Sequence, residues 1–598
     1  MKLSYSFGYI KNLDYFKDKF NLQNSFFFKK NNFFFISEEK IQHFHSIDIN
    51  LFVIGRILNK EFLIKNYNFN IEKNYLVEIY KKYGFEKMIN LVDGEVLILI
   101  LDSKKNIFYF NNSKFGTRPC YYFNKNSSLI FSSNIKFFIN FLPDLNLNEN
   151  FVKRFLSFHY RHIENNEDTV FQNVKKFLPS HFLKYSIKEN KLIKKRWYKI
   201  KINNIYKKLK ENELCEQLIY LIKKSLKKRI NVRNFFCSLS GGLDSSTIVS
   251  LLNLQSKKKI DAATVSYQDQ TYDEVNDIKK FAKQNVENWH IVKLDNKNIN
   301  DKILESCTKA DKPLFTSTWF TDFFLKKEMS KKGYKFAVSG LGGDQLHAGE
   351  YDYFHYHFAD LIKNKSKNLK DEINGWIKHH NHKVYKKSYK NEINFLKKLM
   401  LDKSDGIDHI RNKRYFLILK KKYHDKYQVY TEKNYNSYLL NKSYNETYYE
   451  LLPGCLSHDF DNSNYFNIEN IYPYLDGELF EFMFSINNNF KIQKGVQKIL
   501  LRKSTSKFML SETNQRIKKT GWNSPVHLWF SGKKDNILYE IINDKNSKIF
   551  DFLDLIKTQK LFKEHNKIVN NKLNKENHMM FFWQLVSLEL WLQGLKKT

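Results

Sequence analysis

The chain has 598 residues, 42% hydrophobic and 16% aromatic, which is long and apolar enough for roughly two to four packed domains and excludes a disordered protein. Its formal charge of +37 invites a nucleic-acid partner, but lysine is spread along the whole length beside abundant asparagine, so the charge reads as solvated surface and nucleic acid is not expected. Five cysteines without a C-x-x-C pair, a start without an apolar signal segment and no run near ~20 apolar residues argue against a disulfide scaffold, a zinc site and a membrane span, and predict a soluble cytoplasmic protein.

Residues 1–200 alternate short apolar runs with turns. The Phe-rich stretch 26–35, interrupted by Lys29-Lys30-Asn31-Asn32, predicts two strands and a turn. Runs at 96–101, 107–110 and 129–131 predict further strands, and helical periods occupy 76–83 and 150–157. The expected fold is a layered α+β domain rich in antiparallel sheet. Within it, Leu91-Val92-Asp93-Gly94-Glu95, then Phe115-Gly116-Thr117-Arg118-Pro119-Cys120-Tyr121-Tyr122 and Phe131-Ser132-Ser133-Asn134-Ile135-Lys136, resemble the second half of a class II glutamine amidotransferase domain, an Ntn-hydrolase-like fold. That family attacks glutamine with an N-terminal cysteine thiolate. Here Lys2 follows Met1, no cysteine precedes Cys120, and Asn134 stands where the family has Glu. Ser4 or Ser6 could substitute as a hydroxyl nucleophile only after further processing made it N-terminal, so the domain is expected to be a scaffold without glutaminase activity.

From residue 201 to 598, longer helices alternate with apolar strands, the pattern of a doubly wound α/β sheet with extra helices. The apolar run ending in Cys237-Ser238 leads into Ser240-Gly241-Gly242-Leu243-Asp244-Ser245-Ser246 and an amphipathic helix. Paired glycines let the main chain lie close to a ligand, and the following helix offers free N–H groups to phosphate. Ser240, Ser245 and Ser246 add hydroxyl donors, Ser238 is expected beside them at the nucleotide, and Asp244 adds a hard oxygen suited to Mg²⁺. No G-x-x-x-x-G-K-[ST] is present. The string resembles the pyrophosphate loop of the ATP pyrophosphatases, which split ATP between its α and β phosphates.

A second strand end follows, Val338-Ser339-Gly340-Leu341-Gly342-Gly343-Asp344-Gln345. It resembles the S-G-x-G-[AG]-D-E element of the asparagine synthetase superfamily, which implies that Asp344 joins Asp244 in holding Mg²⁺ and that Gly340 lies at the nucleotide. Leu341 and Gln345 replace the usual acidic residues, which counts against free aspartate as substrate. The strand end at Val265 and Ser266 is carried over to the adenine from the same resemblance.

Residues 351–449 are rich in Lys, Tyr, His and Asn and form the expected substrate-specific wall or docking surface; His379-His380-Asn381-His382 reads as a solvated helix end, not a metal site. Glu469 falls on the Glu of the family's E-x-R-x-P-F-L-D segment, which implies a general base, although Ile471 replaces the Arg. Gly495-Val496-Gln497-Lys498-Ile499-Leu500-Leu501-Arg502 matches a G-x-x-K-x-x-L-R helix. In Arg516-Ile517-Lys518-Lys519-Thr520-Gly521-Trp522 the resemblance implies a catalytic lysine that stabilises developing charge, Lys519 by counting back from Gly521 and Lys518 by counting forward from Arg516.

The resemblance implies an ATP-dependent amide ligase that forms an acyl-adenylate and releases pyrophosphate. The expected partner is a carboxylate substrate, with a precursor peptide delivered by a partner peptidase and closed into a macrolactam, as in the lasso-peptide cyclases or their β-lactam synthetase relatives. An asparagine synthetase or other small-molecule amide synthetase is the alternative, and a nucleic-acid-binding or tRNA-modifying relative the distant one.

Overall fold

The computed structural model describes residues 4–10, 25–67, 74–125, 128–140, 142, 145–158, 160–401, 415–424, 429–518, 524–532 and 536–595. The chain divides into two compact units, one of residues 1–148, 166–200 and 455–464, the other of residues 149–165, 201–454 and 465–598.

The first unit holds two six-stranded antiparallel sheets. Strand Tyr5–Tyr9 lies inside one, between Ser128–Ser132 and Phe33–Ser37. The Phe-rich stretch forms the expected hairpin, Phe26–Lys30 against Phe33–Ser37, and Asn31 turns the corner at φ 53, a left-handed angle that asparagine tolerates. Strand Ile49–Ile57 belongs to the other sheet, beside Gly94–Asp102. Its alternate residues face opposite ways, as the period of two demands. Phe52 joins Phe7, Phe35, Phe110 and Phe131 in a core fed by both sheets, while Leu51 and Val53 pack with Leu76, Ile79 and Met88 of helix Tyr75–Leu91. That helix outruns the periodicity seen at 76–83 because Gly84, at φ 78, kinks it and resets the apolar face.

The second unit is built on a five-stranded parallel sheet. Its spatial order is Val286–Leu294, Ile260–Tyr267, Phe235–Ser238, Phe336–Val338, Glu469–Ile471. The chain winds outward from Phe235–Ser238 in one direction, then returns to lay Phe336–Val338 on its other side. Phe236, Cys237, Ala262, Ala263, Ala337 and Val338 are all buried, as helices on both faces of a parallel sheet require. An added helical layer, Tyr353–Lys363, Leu369–His380 and Tyr389–Leu401, closes around Phe354, Phe358, Trp376 and Leu396. Among the described residues no helix is long and apolar enough to cross a membrane.

Candidate active site

The reversal of strand order puts two strand ends side by side, the place where open α/β sheets bind ligands. Phe235–Ser238 runs parallel to Phe336–Val338, so the loops after Ser238 and Val338 leave the same edge as neighbours. Asp244 lies in the first turn of helix Leu243–Ser256, and Asp344 in the short helix Gly343–His347. A Cβ on Gly343 would stand 2.8 Å from Asp244 Cγ, so the second loop presses directly on the first aspartate. Gly340 is also against this loop, though a Cβ there would meet Asp244 Cβ and the Ser245 nitrogen only at 3.6 Å, an ordinary contact.

Lys498 joins the pair. Its Nζ donates to Asp244 Oδ2 and forms an ion pair with Asp344 Oδ1 at 2.7 Å, and all three side chains are largely buried. Lys498 caps helix Ile499–Thr505 with φ 60. The G-x-x-K-x-x-L-R string is thus not one helix: Val496–Gln497 pairs with Ile492–Gln493, and the helix starts only after the lysine. Left-handed backbone at a lysine is costly and persists where surrounding contacts impose it. Here Gly349 has no Cβ, and one would collide with Asp344 Oδ1 at 2.2 Å and Lys498 Cε at 2.3 Å.

The serine hydroxyls expected to face phosphate also fold the loop. Ser245 Oγ accepts from the Ser240 amide at 3.3 Å, Ser240 Oγ accepts from the Gly242 amide at 3.2 Å, and Ser246 Oγ donates to Gly242 O at 3.1 Å. The Gly241 amide donates to Glu274 Oε2 at 2.9 Å. An anion can be met by amides of the first helical turn, which a helix does not satisfy internally. Tyr474 OH donates to Asp244 O at 3.1 Å, and burial beside Asp244 holds the phenol well above its ordinary range.

Of the other expected residues, Ser238 ends its strand and Val265 is buried near the end of the next one. Ser266 Oγ donates to Asp273 Oδ2 at 3.2 Å. Glu469 is set back. It opens its strand level with Phe336, two residues before the ligand edge, or about 7 Å of strand. Lys518 is exposed, and Lys519 lies outside the described residues.

The chain ahead of these lysines is held at Asn514 and Arg516. Arg502 Nη2 donates to Arg516 O at 2.9 Å, and its Nη1 donates to Asn514 O. Arg516 lies over the phosphate loop, its Nη1 donating to Gly241 O at 3.3 Å and its Nη2 paired with Asp277. A Cβ on Gly241 would come within 2.2 Å of that guanidinium. The sequence alone assigns no chemical role to Glu274 and only a motif position to Lys498, Arg502 and Arg516; the motif itself is the signal available.

Two family descriptions match the chain: asparagine synthase over residues 218–593, and glutamine amidotransferase domain over residues 54–198. Asparagine synthetase (glutamine-hydrolyzing) 1 of Bacillus subtilis is 22% identical over 571 residues, 89% of this chain and 84% of the relative. A Methanocaldococcus jannaschii protein provisionally named asparagine synthetase (glutamine-hydrolyzing) 2 is 24% identical over 331 residues, 54% of this chain and 63% of the relative. Amidase chyE of Penicillium rubens is 24% identical over 352 residues, 54% of this chain and 50% of the relative. With the asparagine synthase match spanning the parallel sheet, both aspartate loops and Lys498, the chain belongs to the asparagine synthase family.

Proposed function

We propose that the protein is an ATP-dependent carbon–nitrogen ligase that activates a carboxylate as its acyl-adenylate, releases pyrophosphate and passes the acyl group to an amine without hydrolysing glutamine. The observation that carries this reading is the convergence of Asp244 and Asp344, from adjacent strand ends, on one cation. Two carboxylates that already share the Lys498 ammonium suit a second hard cation. Among the described residues no three or more His, Cys, Asp or Glu side chains gather for a metal, so oxygens of the triphosphate would have to share the coordination. Mg²⁺ held by Asp244 and Asp344 would neutralise charge on the departing pyrophosphate.

The chain's own groups supply the rest. First-turn amides of helix Leu243–Ser256 bind phosphate oxygen at the positive end of the helix. A substrate carboxylate oxygen bonds to the α-phosphorus as the bond to pyrophosphate breaks. The amine nitrogen then bonds to the acyl carbon, the acyl carbon–oxygen bond to AMP breaks, and the nitrogen's proton passes to the departing AMP phosphate or to solvent water, leaving the amide. Lys519 or Lys518, each following Arg516 in sequence, supplies the cation for the charge developing on phosphate and acyl oxygen.

Independence from glutamine is supported by the first unit. Ser4 and Ser6 are fully buried, and Ser6 Oγ donates to Phe131 O at 2.7 Å. Cys120 is fully buried and burial holds its thiol protonated, the opposite of a nucleophile's environment. Leu341 at the second aspartate loop favours an acyl substrate other than free aspartate, and a peptide side chain closed as a macrolactam is the form we favour. The Bacillus subtilis relative's name favours the competing reading, asparagine from aspartate and ammonia or glutamine.

ATP–pyrophosphate exchange with a panel of carboxylates separates them. The expected result is exchange that Asp244→Ala abolishes, while Lys519→Ala keeps exchange and slows amide formation. Undiminished exchange in the Asp244 variant would refute the mechanism. Asparagine accumulating from aspartate, ATP and ammonium would replace the peptide reading with the competing one.

A further inference from the structure

Beside the aspartate pair the second unit carries a surface that the adenylation chemistry does not use. Between Glu372 and Glu392 the chain has no acidic residue, yet it contains five lysines and three histidines. Lys383, Lys386 and Lys390 are exposed, and so are Tyr385 at 50% and Tyr389 at 38%. Large aromatic rings left in water among cations need an explanation, because burying them is worth on the order of 2 kcal/mol each.

A run of contacts ties this surface to the site. Gly349 packs on Asp344 and Lys498, and Gln497 Nε2 donates to Ala348 O at 2.8 Å and to Glu350 O at 2.5 Å. The next residue, Tyr351, is 38% exposed and stacks edge-on with His380 at 5.5 Å between ring centroids. Lys387 Nζ lies over both Tyr351, at 5.2 Å, and Trp376, at 5.1 Å, and its amide donates to Asn381 Oδ1 at 3.2 Å. His380 is fixed in turn by a hydrogen bond to Gly495 O at 2.8 Å, three residues before Lys498. The ledge from Tyr351 to Tyr389 is therefore braced from beneath through Tyr351, His380 and Lys387, while Lys383, Lys386 and Lys390 are exposed.

We propose that this ledge binds an extended acidic peptide segment, the part of the substrate flanking the carboxylate that the site activates. The proposal rests on the reading of the site as a carboxylate-activating ligase and adds the class of molecule it serves. Charge complementarity points to an acidic partner, since five lysines with no intervening acid repel a basic one and gain nothing from a neutral one. The tyrosines then give flat, amphipathic contact area at low entropic cost, which suits side chains of a peptide better than a small free acid.

The test uses the full chain, a short fluorescein-labelled Asp-rich peptide and the same peptide with Asn for Asp, read by anisotropy, with single-stranded poly-U RNA as competitor. The wild type is expected to prefer the Asp peptide. Combined Lys383→Glu, Lys386→Glu and Lys390→Glu should weaken it by about tenfold, and Tyr385→Ser should weaken both peptides alike. Carboxylate-dependent ATP–pyrophosphate exchange with a small free acid should be unchanged in both variants. Equal affinity for the two peptides, or a triple variant that binds like the wild type, overturns the proposal. So does RNA that binds the ledge lysines more tightly than the Asp peptide. Peptide binding lost in the triple variant, with no exchange by any protein on any carboxylate, supports the ledge and removes the ligase reading.

Discussion

Lys498 combines three things that rarely coincide: left-handed backbone, deep burial and two aspartate partners from different strand ends. Lysine gains nothing from such an angle, so the contacts around it hold it there. The glycines nearby show how little room the arrangement leaves. Gly343→Ala puts a methyl 2.8 Å from Asp244 Cγ, whereas Gly340→Ala meets ordinary contacts at 3.6 Å. If the aspartate pair works as proposed, Gly343→Ala should lower ATP–pyrophosphate exchange on the order of 10²-fold through misplacement alone, with Gly340→Ala near wild type. Equal losses in the two variants would show that Asp244 placement is not what the second loop controls. The letters S-G-L-G-G-D announce a strand end and a ligand carboxylate. They do not say which glycine bears the contact, because that depends on a side chain about a hundred residues earlier.

At the scale of elements, the periodic segments read plainly. The hairpin at 26–37, helix Glu211–Arg229 and the strand–loop–helix at Phe235–Ser256 all carry local signals. Helix ends fixed by tertiary partners were harder to read, and helix Met579–Leu595 shows why. It is buried almost all round and its start is held by His565 on helix Leu555–Asn570, whose Nδ1 accepts from the His578 amide at 3.1 Å. Accepting that bond requires a neutral ring, and burial pushes the His565 pKa down to about 4. In the unfolded chain the imidazole titrates at its ordinary value, so the unfolded state binds the extra proton between about pH 6.5 and 4. Stability from this group is thus whole above pH 6.5 and is lost as pH falls toward 4, by up to roughly 3 kcal/mol. In His565→Asn, whose Oδ1 can accept in place of Nδ1, urea midpoints should fall less steeply over that window. Parallel pH profiles for the two proteins would remove His565 from the account.

For the whole molecule, the second unit draws on a piece of chain from before residue 166. Arg161 is buried among Glu446, Glu450 at 2.7 Å, Asp352 at 3.5 Å and Glu350 at 3.6 Å, with Lys442 as the neighbouring cation on Glu446 and Glu450. Glu446–Glu450 is a π-helical turn, a rarity that here presents both glutamates to the same guanidinium. Removing the arginine leaves buried carboxylates without enough positive charge, so Arg161→Met should cost about 3–5 kcal/mol. A fragment beginning at residue 201 should lose the cooperative thermal transition that the full chain shows. A sharp transition in that fragment would mean that the network contributes little.

The sequence by itself determined what is local. Turn chemistry, strand and helix periods, the glycine-rich loop and the family motifs all lie within short windows, and a period or a positive-φ glycine acts over only a few residues. It also carried the departures that matter for chemistry, such as Leu341 in place of an acid. Only the tertiary structure decided how the windows meet. The reversed strand order made the Asp244 and Asp344 loops neighbours, brought Lys498 between them, set Arg516 over Gly241 and kept Glu469 back from the edge. No pattern along the chain encodes strand order, because it is set by which buried faces can be covered together, and that is a property of the folded sheet as a whole.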